Sequence, residues 1–281
     1  MRVQGRRGLI LALPLILWLA AFLLVPLGLV ASYSFLKRGP YGGVIMEFSL
    51  DSYRRALDPL YLAVYARSLL LAGMATLTCL AIGYPSAFVI ATAPRPWRRP
   101  LVSLLMIPFL ANFIVRTYAI RAMLAVDGPL NHGLMALGLV TEPLILTDGP
   151  LAVWIGMLTN YLPFMILPLF VVMDRLDFTL IEAARDLGAS QLGMLWSVLL
   201  PLTKPGIVAG SVLVFIPALG EFMIPDILGG GRTLLLGNLI TDQFLKSRNW
   251  PFGATLTVIL MVAMLLAALV EWRLQERPSH E

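Results

Sequence analysis

Six runs of about twenty or more mostly apolar residues constrain this chain more than any other feature; they lie at roughly 9–33, 66–92, 101–124, 151–173, 205–227 and 252–272. A bilayer core about 30 Å thick is crossed by about twenty apolar residues of α-helix. In hydrocarbon, every backbone N–H and C=O must find its partner inside the protein, so only helices and closed barrels cross it. A barrel strand would alternate apolar and polar residues, and these runs do not. Only 13% of the 281 residues are charged, against about a quarter in soluble domains. The expected fold is an all-α membrane protein with six transmembrane helices.

Basic residues set the orientation. Arg2, Arg6 and Arg7 precede the first run, Arg95, Arg98 and Arg99 crowd the short turn PRPWRRP, and Arg273 and Arg277 follow the last. Short basic clusters mark the cytoplasmic side, so both termini are expected there. The apolar part of the first run is longer than the 7–15 residues of a cleaved signal peptide, which favours a retained anchor. Lys37, Arg38, Arg54 and Arg55 in the first outer loop run against the rule, as do Arg232, Lys246 and Arg248 in the third. Between Ala122 and Val172 there is no Lys or Arg, while Asp127, Glu142 and Asp148 are present. The expected division is residues 1–64 as first helix and outer loop, 65–273 as a five-helix core, and 274–281 as a cytoplasmic tail.

That topology makes residues 174–204 a long cytoplasmic loop. Asp174, Arg175, Asp177, Glu182, Arg185 and Asp186 lie in it, and burying all of them at the bilayer centre would cost on the order of 15 kcal/mol. Thr179 with Glu182 has capping-box spacing, which predicts a helix from about Leu180. Gly188 disfavours a helix interior, and Pro201 and Pro205 are expected to end the helix after it. Two short helices bent at Gly188 result, with Ala183, Ala184 and Gly188 forming a bare strip on one face. Such a strip suits close docking of another protein; an amphipathic helix resting on lipid headgroups is the alternative.

The segment EAARDLGASQLGMLWSVLLP (182–201) resembles the signature loop of the permease subunits of bacterial ABC importers, departing at Val198 where Ile is usual. PFLANFIVRTYA (108–119), DGPLN (127–131), VFIPALGEFMIPDILGG (214–230), LLLGNLITDQF (234–244) and NWPFG (249–253) extend the resemblance along nearly the whole chain. It is to the first permease of the spermidine/putrescine importers, with a departure at Ile120-Arg121. The resemblance implies a type I importer permease fold in the bacterial inner membrane. It also implies a second homologous permease, two cytoplasmic ATPase subunits, a periplasmic substrate-binding protein and a polyamine substrate. Glu182, Ala183, Ala184, Arg185, Asp186 and Gly188 would then couple to the ATPase.

Ionisable groups inside spans are functional candidates because they are costly there and need partners. Arg116 in the third run and Glu221 in the fifth lie at similar depth, so they either pair or leave Glu221 to meet a cationic substrate. Arg121 is near enough to the boundary to snorkel, and Asp226 either greets a cation or faces water. Pro217 suggests a kink in the fifth span, and Pro163 and Pro168 bends in the fourth. Aromatic faces also attract ammonium groups; Tyr118, Trp154, Tyr161, Phe164, Phe215 and Phe222 are candidates, most of them expected to be packing. Asn160 and Tyr161, polar in mid-span, stand out.

Other classes fit less well. One cysteine, Cys79, lies in an apolar run and reads as a packed thiol, and the two histidines, His132 and His280, are far apart in the chain. No metal site, cofactor or catalytic residue is expected, nor a nucleic-acid partner. There is no Gly-rich phosphate loop, so energy would come from a partner. A permease for another small organic solute remains open; an ATP-independent transporter would have no use for the docking strip. The topology predicts that cysteines placed in 128–148 react with an impermeant thiol reagent added outside intact cells. Reaction only after membrane disruption would reverse the orientation.

Overall fold

The computed structural model describes residues 2–275. Arg277, His280 and the rest of the tail lie outside the described residues, as do the side chains of residues 2–12, which include Arg2, Arg6 and Arg7, and those of Glu182 and Ala183. Two compact units are formed, one from Met1–Leu62 with Leu239–Val262 and the other from Ala63–Asn238 with Ala263–Glu281.

The helices are α1 (Arg2–Ser34), α2 (Asp51–Ala56), α3 (Pro59–Thr92), α4 (Arg95–Met106), α5 (Phe113–Leu124), α6 (Pro129–Ala136) and α7 (Pro150–Met173). They continue with α8 (Thr179–Asp186), α9 (Gln191–Met194), α10 (Leu200–Leu219), α11 (Met223–Leu228), α12 (Leu236–Leu245) and α13 (Trp250–Gln275). Among the described residues, five helical segments are long and apolar enough to cross a membrane, or six if the bent pair Arg95–Leu110 and Phe113–Ala136 counts as one span. On α1 the large apolar side chains Leu15, Phe22, Leu23 and Leu24 are all more than 60% exposed. That suits a helix whose surroundings are hydrocarbon rather than water.

The first unit adds a feature absent from the all-helical expectation. Strands β1 (Leu36–Arg38) and β2 (Val44–Phe48) pair antiparallel, with Lys37 opposite Ile45 and Arg38 opposite Val44. Gly42 and Gly43, at φ 94° and 80°, supply a turn that residues with a Cβ rarely adopt. The basic residues that opposed the orientation rule are partly accounted for here. Lys37 pairs with Glu47 at 3.2 Å, Arg38 donates to the Ser247 carbonyl at 3.1 Å, and Arg55 lies 4.7 Å over the Phe252 ring while bonding Tyr61 Oη.

In the second unit, α7 packs most extensively on α10, and glycines let them approach. A Cβ at Gly206 would stand 3.1 Å from the Pro168 carbonyl oxygen and 3.2 Å from Leu169 Cα. One at Gly210 would stand 2.7 Å from Met165 Sδ. Cys79 is buried, with its thiol 3.8 Å from the Leu158 carbonyl.

Two expected spans are interrupted. The run 101–124 is not one helix: α4 passes into a 3-10 turn at Ile107–Leu110, and the segment Arg95–Leu110 meets the segment Phe113–Ala136 at an angle of 88°. Pro108 supplies no N–H, and Asn112 starts a new helix by accepting the Ile114 N–H at 2.8 Å. The run 205–227 breaks at Gly220–Phe222, between α10 and α11. Pro217 falls in the last turn of α10, whereas Pro163 and Pro168 stay within a continuous α7.

Pro201 and Pro205 do not end a helix, contrary to expectation; helix continues from Gln191 to Leu219. A π-turn at Leu195–Leu199 precedes Pro201 and widens the backbone where its ring would crowd the preceding turn. Gly206→Val should overpack the α7–α10 contact and lower stability by about 1–3 kcal/mol. Gly73→Ala, where a Cβ meets nothing within 4 Å, should raise it by up to about 1 kcal/mol. Thermal unfolding midpoints of the detergent-purified variants check both signs.

Candidate functional site

The interruption at Gly220–Phe222 is held from several directions. Glu221, 9% exposed, accepts the backbone N–H groups of Met223 at 2.8 Å and Ile224 at 3.2 Å through Oε1. Its other oxygen accepts a hydrogen bond from the hydroxyl of Tyr161. The carboxylate thus satisfies the donors that open α11 and complements the positive end of that helix. At the other end of α11, Arg121 donates to the Ile227 carbonyl at 2.8 Å and lies 3.5 Å from Asp148. Asn238 donates to the Phe222 carbonyl at 2.7 Å, and a Cβ at Gly237 would collide with the carbonyl oxygens of Gly220 and Glu221.

Arg116 serves the other interruption. Its Nε donates to Asn160 Oδ1 at 2.7 Å, and an Nη donates to the freed Pro108 carbonyl at 3.2 Å. The guanidinium lies 4.2 Å over the Phe109 ring. Asn160 donates in turn to the Gly156 carbonyl at 2.8 Å. The alternative in which Arg116 and Glu221 pair is therefore not realised: neighbours on α7 separate them, Asn160 binding the guanidinium and Tyr161 the carboxylate. Nor does Glu221 sit inside a helix; it lies at the start of one.

Of the remaining pathway candidates, Phe222 takes part in the break through its backbone carbonyl. Tyr118 is 55% exposed, and Asp226 is exposed in the first turn of α11. Phe164 lies 6.5 Å from Tyr161, ring to ring. Arg121, expected to snorkel, is half exposed but anchored to α11. Gly237, Asn238 and Phe109 were missed as partners of the breaks. LLLGNLITDQF did hold a signal, a Gly-Asn pair within its apolar part LLLGNLI.

The loop after α7 folds on its own core of Ile181, Met194 and Leu199, with Phe88, Leu176, Phe178 and Leu195 packed around it. The PRPWRRP turn is tied to it by the Arg98–Asp174 ion pair. At the start of α8, Thr179 gives both its N–H and its hydroxyl to Asp177 Oδ1, at 3.0 and 2.8 Å; the Glu182 half of the expected capping box lies outside the described residues. The Thr179 hydroxyl, then its N–H, hold the Asp177 carboxyl below the usual carboxylate range. A carboxyl lowered on folding stabilises above its unfolded pKa, and that contribution is lost as pH falls through the folded value.

Gly188 does not share a helical face with Ala184. It follows the end of α8 at φ 82°; Gly188 N–H bonds the Arg185 carbonyl at 2.9 Å and Ala189 N–H the Ala184 carbonyl at 3.0 Å. This left-handed closure turns the chain. Beside it Leu187 is 89% exposed, Leu192 and Trp196 are 70% exposed, and Leu180 is half exposed.

Two measurements separate the partners of Glu221. Glu221→Gln with Tyr161→Phe should be non-additive in stability by about 0.5–3 kcal/mol, since the groups touch. Glu221→Gln with Arg116→Gln should be additive within about 0.5 kcal/mol. The reverse pattern would restore the Arg116–Glu221 pair.

Comparison with known proteins places this geometry. Residues 8–276 match the family model "Binding-protein-dependent transport system inner membrane component". The chain is 44% identical over 256 residues to the spermidine/putrescine transport system permease protein PotB of Escherichia coli (strain K12), covering 91% of this chain and 93% of that one. It is 42% identical to the PotB of Haemophilus influenzae over 91% of this chain and 90% of the relative. Among solved structures, a bacterial ABC transporter that imports the acidic polysaccharide alginate superposes with a TM-score of 0.78 over 100% of both chains, at 16% identity. The alginate transporter in complex with an alginate pentasaccharide-bound periplasmic protein gives 0.77 over 98% of this chain and 96% of that one, at 15% identity. These structural likenesses show the type I importer permease fold. The chain is a multi-pass inner-membrane protein belonging to the family of binding-protein-dependent transport system inner membrane components.

Proposed function

We propose that this chain is one of two permease subunits of an ATP-driven polyamine importer. The observation that carries the substrate class is its 44% identity, over 91% of its length, to permeases named for spermidine and putrescine. Both termini and residues 174–204 lie in the cytoplasm, in keeping with the basic clusters. Residues 1–64 then form the first helix and outer loop, 65–273 the five-helix core and 274–281 a cytoplasmic tail. Two ATPase subunits drive the cycle, a second, homologous permease completes the path, and a periplasmic binding protein delivers the substrate.

Coupling falls to Glu182, Ala183, Ala184, Arg185, Asp186 and Gly188. What supports this is a loop with its own packed core that still exposes Leu180 and Leu187, apolar surface suited to another protein rather than to water. The left-handed Gly188 fixes the direction in which α8 is presented. Glu221 and Tyr161, with Asn160, Arg116, Tyr118 and Asp226 nearby in sequence or along the path, form the cation-responsive part. A carboxylate has about four acceptor sites, and Glu221 fills three of them.

Expression with its partner subunits in cells lacking polyamine uptake should give saturable accumulation of labelled spermidine or putrescine. Accumulation only of another solute would overturn the substrate class. Gly188→Leu should abolish uptake while the protein still inserts, and Gly188→Asn, which tolerates left-handed backbone, should keep most of it. Normal uptake by Gly188→Leu would remove the loop from coupling.

A further inference from the structure

A cavity of about 650 Å³ in the second unit lies beside α3, the start of α7 and the loop before α12. Its polar lining is made of donors. The Arg67 and Arg232 guanidinium groups are exposed there and have no hydrogen-bond or ion-pair partner among the described residues. Trp154 Nε1 and Thr233 Oγ1 are buried with no hydrogen-bond partner, and Thr233 as a whole is only 8% exposed. Trp and Arg side chains can donate but not accept, and leaving a buried donor unpaired is costly. No acid is among the described residues that line the cavity. Asp148, which approaches the neighbouring Gly230, lies 3.5 Å from Arg121.

The apolar lining has a direction. Leu70 and Met74 follow Arg67 on one face of α3 and are 61% and 44% exposed; the rise from residue 67 to 74 is about 10 Å. Arg67 lies in the third turn of α3 and Trp154 in the second turn of α7, the depth at which arginine and tryptophan meet the membrane interface. The site therefore offers donors and positive charge at one end and an exposed apolar stripe at the other.

We propose that this cavity binds an anionic phospholipid, with the phosphate held by Arg67, Arg232, Trp154 Nε1 and Thr233 Oγ1 and an acyl chain along Leu70 and Met74. Arginine recognises phosphate by charge-assisted hydrogen bonds, and the lipid satisfies the two unpartnered buried groups.

The test is photolabelling of the full chain in membranes containing phosphatidylglycerol or phosphatidylcholine, each with a diazirine in its acyl chain. Labelled residues are mapped by mass spectrometry. In the wild type, phosphatidylglycerol should label the 64–74 segment at least about tenfold more than phosphatidylcholine. Arg67→Gln with Arg232→Gln should weaken that labelling about thirtyfold, the effect of two basic residues beside an anionic headgroup. Arg67→Lys with Arg232→Lys should keep most of it. Equal labelling of the wild type by the two lipids would overturn the proposal without recourse to any variant. So would loss of labelling on adding millimolar inorganic phosphate, which would make the site one for a free anion.

Discussion

A backbone amide in hydrocarbon has no water to turn to, and each unsatisfied group there costs several kcal/mol. This chain nevertheless interrupts two of its apolar runs, at Ile107–Asn112 and Gly220–Phe222. Both breaks persist because side chains reach their exposed backbone groups. Asn112 takes an N–H of α5 and Arg116 reaches the Pro108 carbonyl; Glu221 takes two N–H groups of α11 and Asn238 reaches the Phe222 carbonyl. Polar residues that a hydropathy profile registers as defects are what make irregular backbone possible at that depth.

Helix α11 concentrates the point. It has six residues, too few to be stable alone, and it has a carboxylate at its N-terminus and a guanidinium at its C-terminus. Gly156 lets it pack closely on α7, since a Cβ there would strike Ile224 at 2.8 Å. Arg121, a departure from the resembled family's pattern, is thus explained locally: it closes the end of α11 with Asp148 as its counter-charge.

The same physics decides how much of this was legible in the sequence. Spans announce themselves because length and apolarity are one-dimensional properties, and α3, α7 and α13 fall within a few residues of the runs at 66–92, 151–173 and 252–272, apart from seven additional residues at the start of α3. Breaks do not, because hydropathy averages over hydrogen bonding; yet Pro108 with Asn112, and Gly220 before Glu221, were local signals of helix ends. Assuming straight helices placed Arg116 and Glu221 at matching depths and made a pair one of two readings, whereas each is held beside its own break. Glycines in the segment GPYGG carried the hairpin signal, outweighed by the surrounding helical pattern. At Gly188 the turn was legible, but left-handed backbone rather than a bare helical face explains it.

The state of Glu221 bears on how a cation could be moved past it. Three of about four acceptor sites on the carboxylate are filled, two of them by the backbone of α11 and one by Tyr161. The backbone bonds are part of the fold and break only if α11 moves. The tyrosine hydroxyl is the one partner that leaves without unwinding a helix. On the proposed function, a passing ammonium group therefore competes with Tyr161 for Glu221 rather than with Arg116. Movement of α7 against α11, which meet where the Ile224 and Leu228 side chains pack onto Gly156, is the displacement that would make and break that bond.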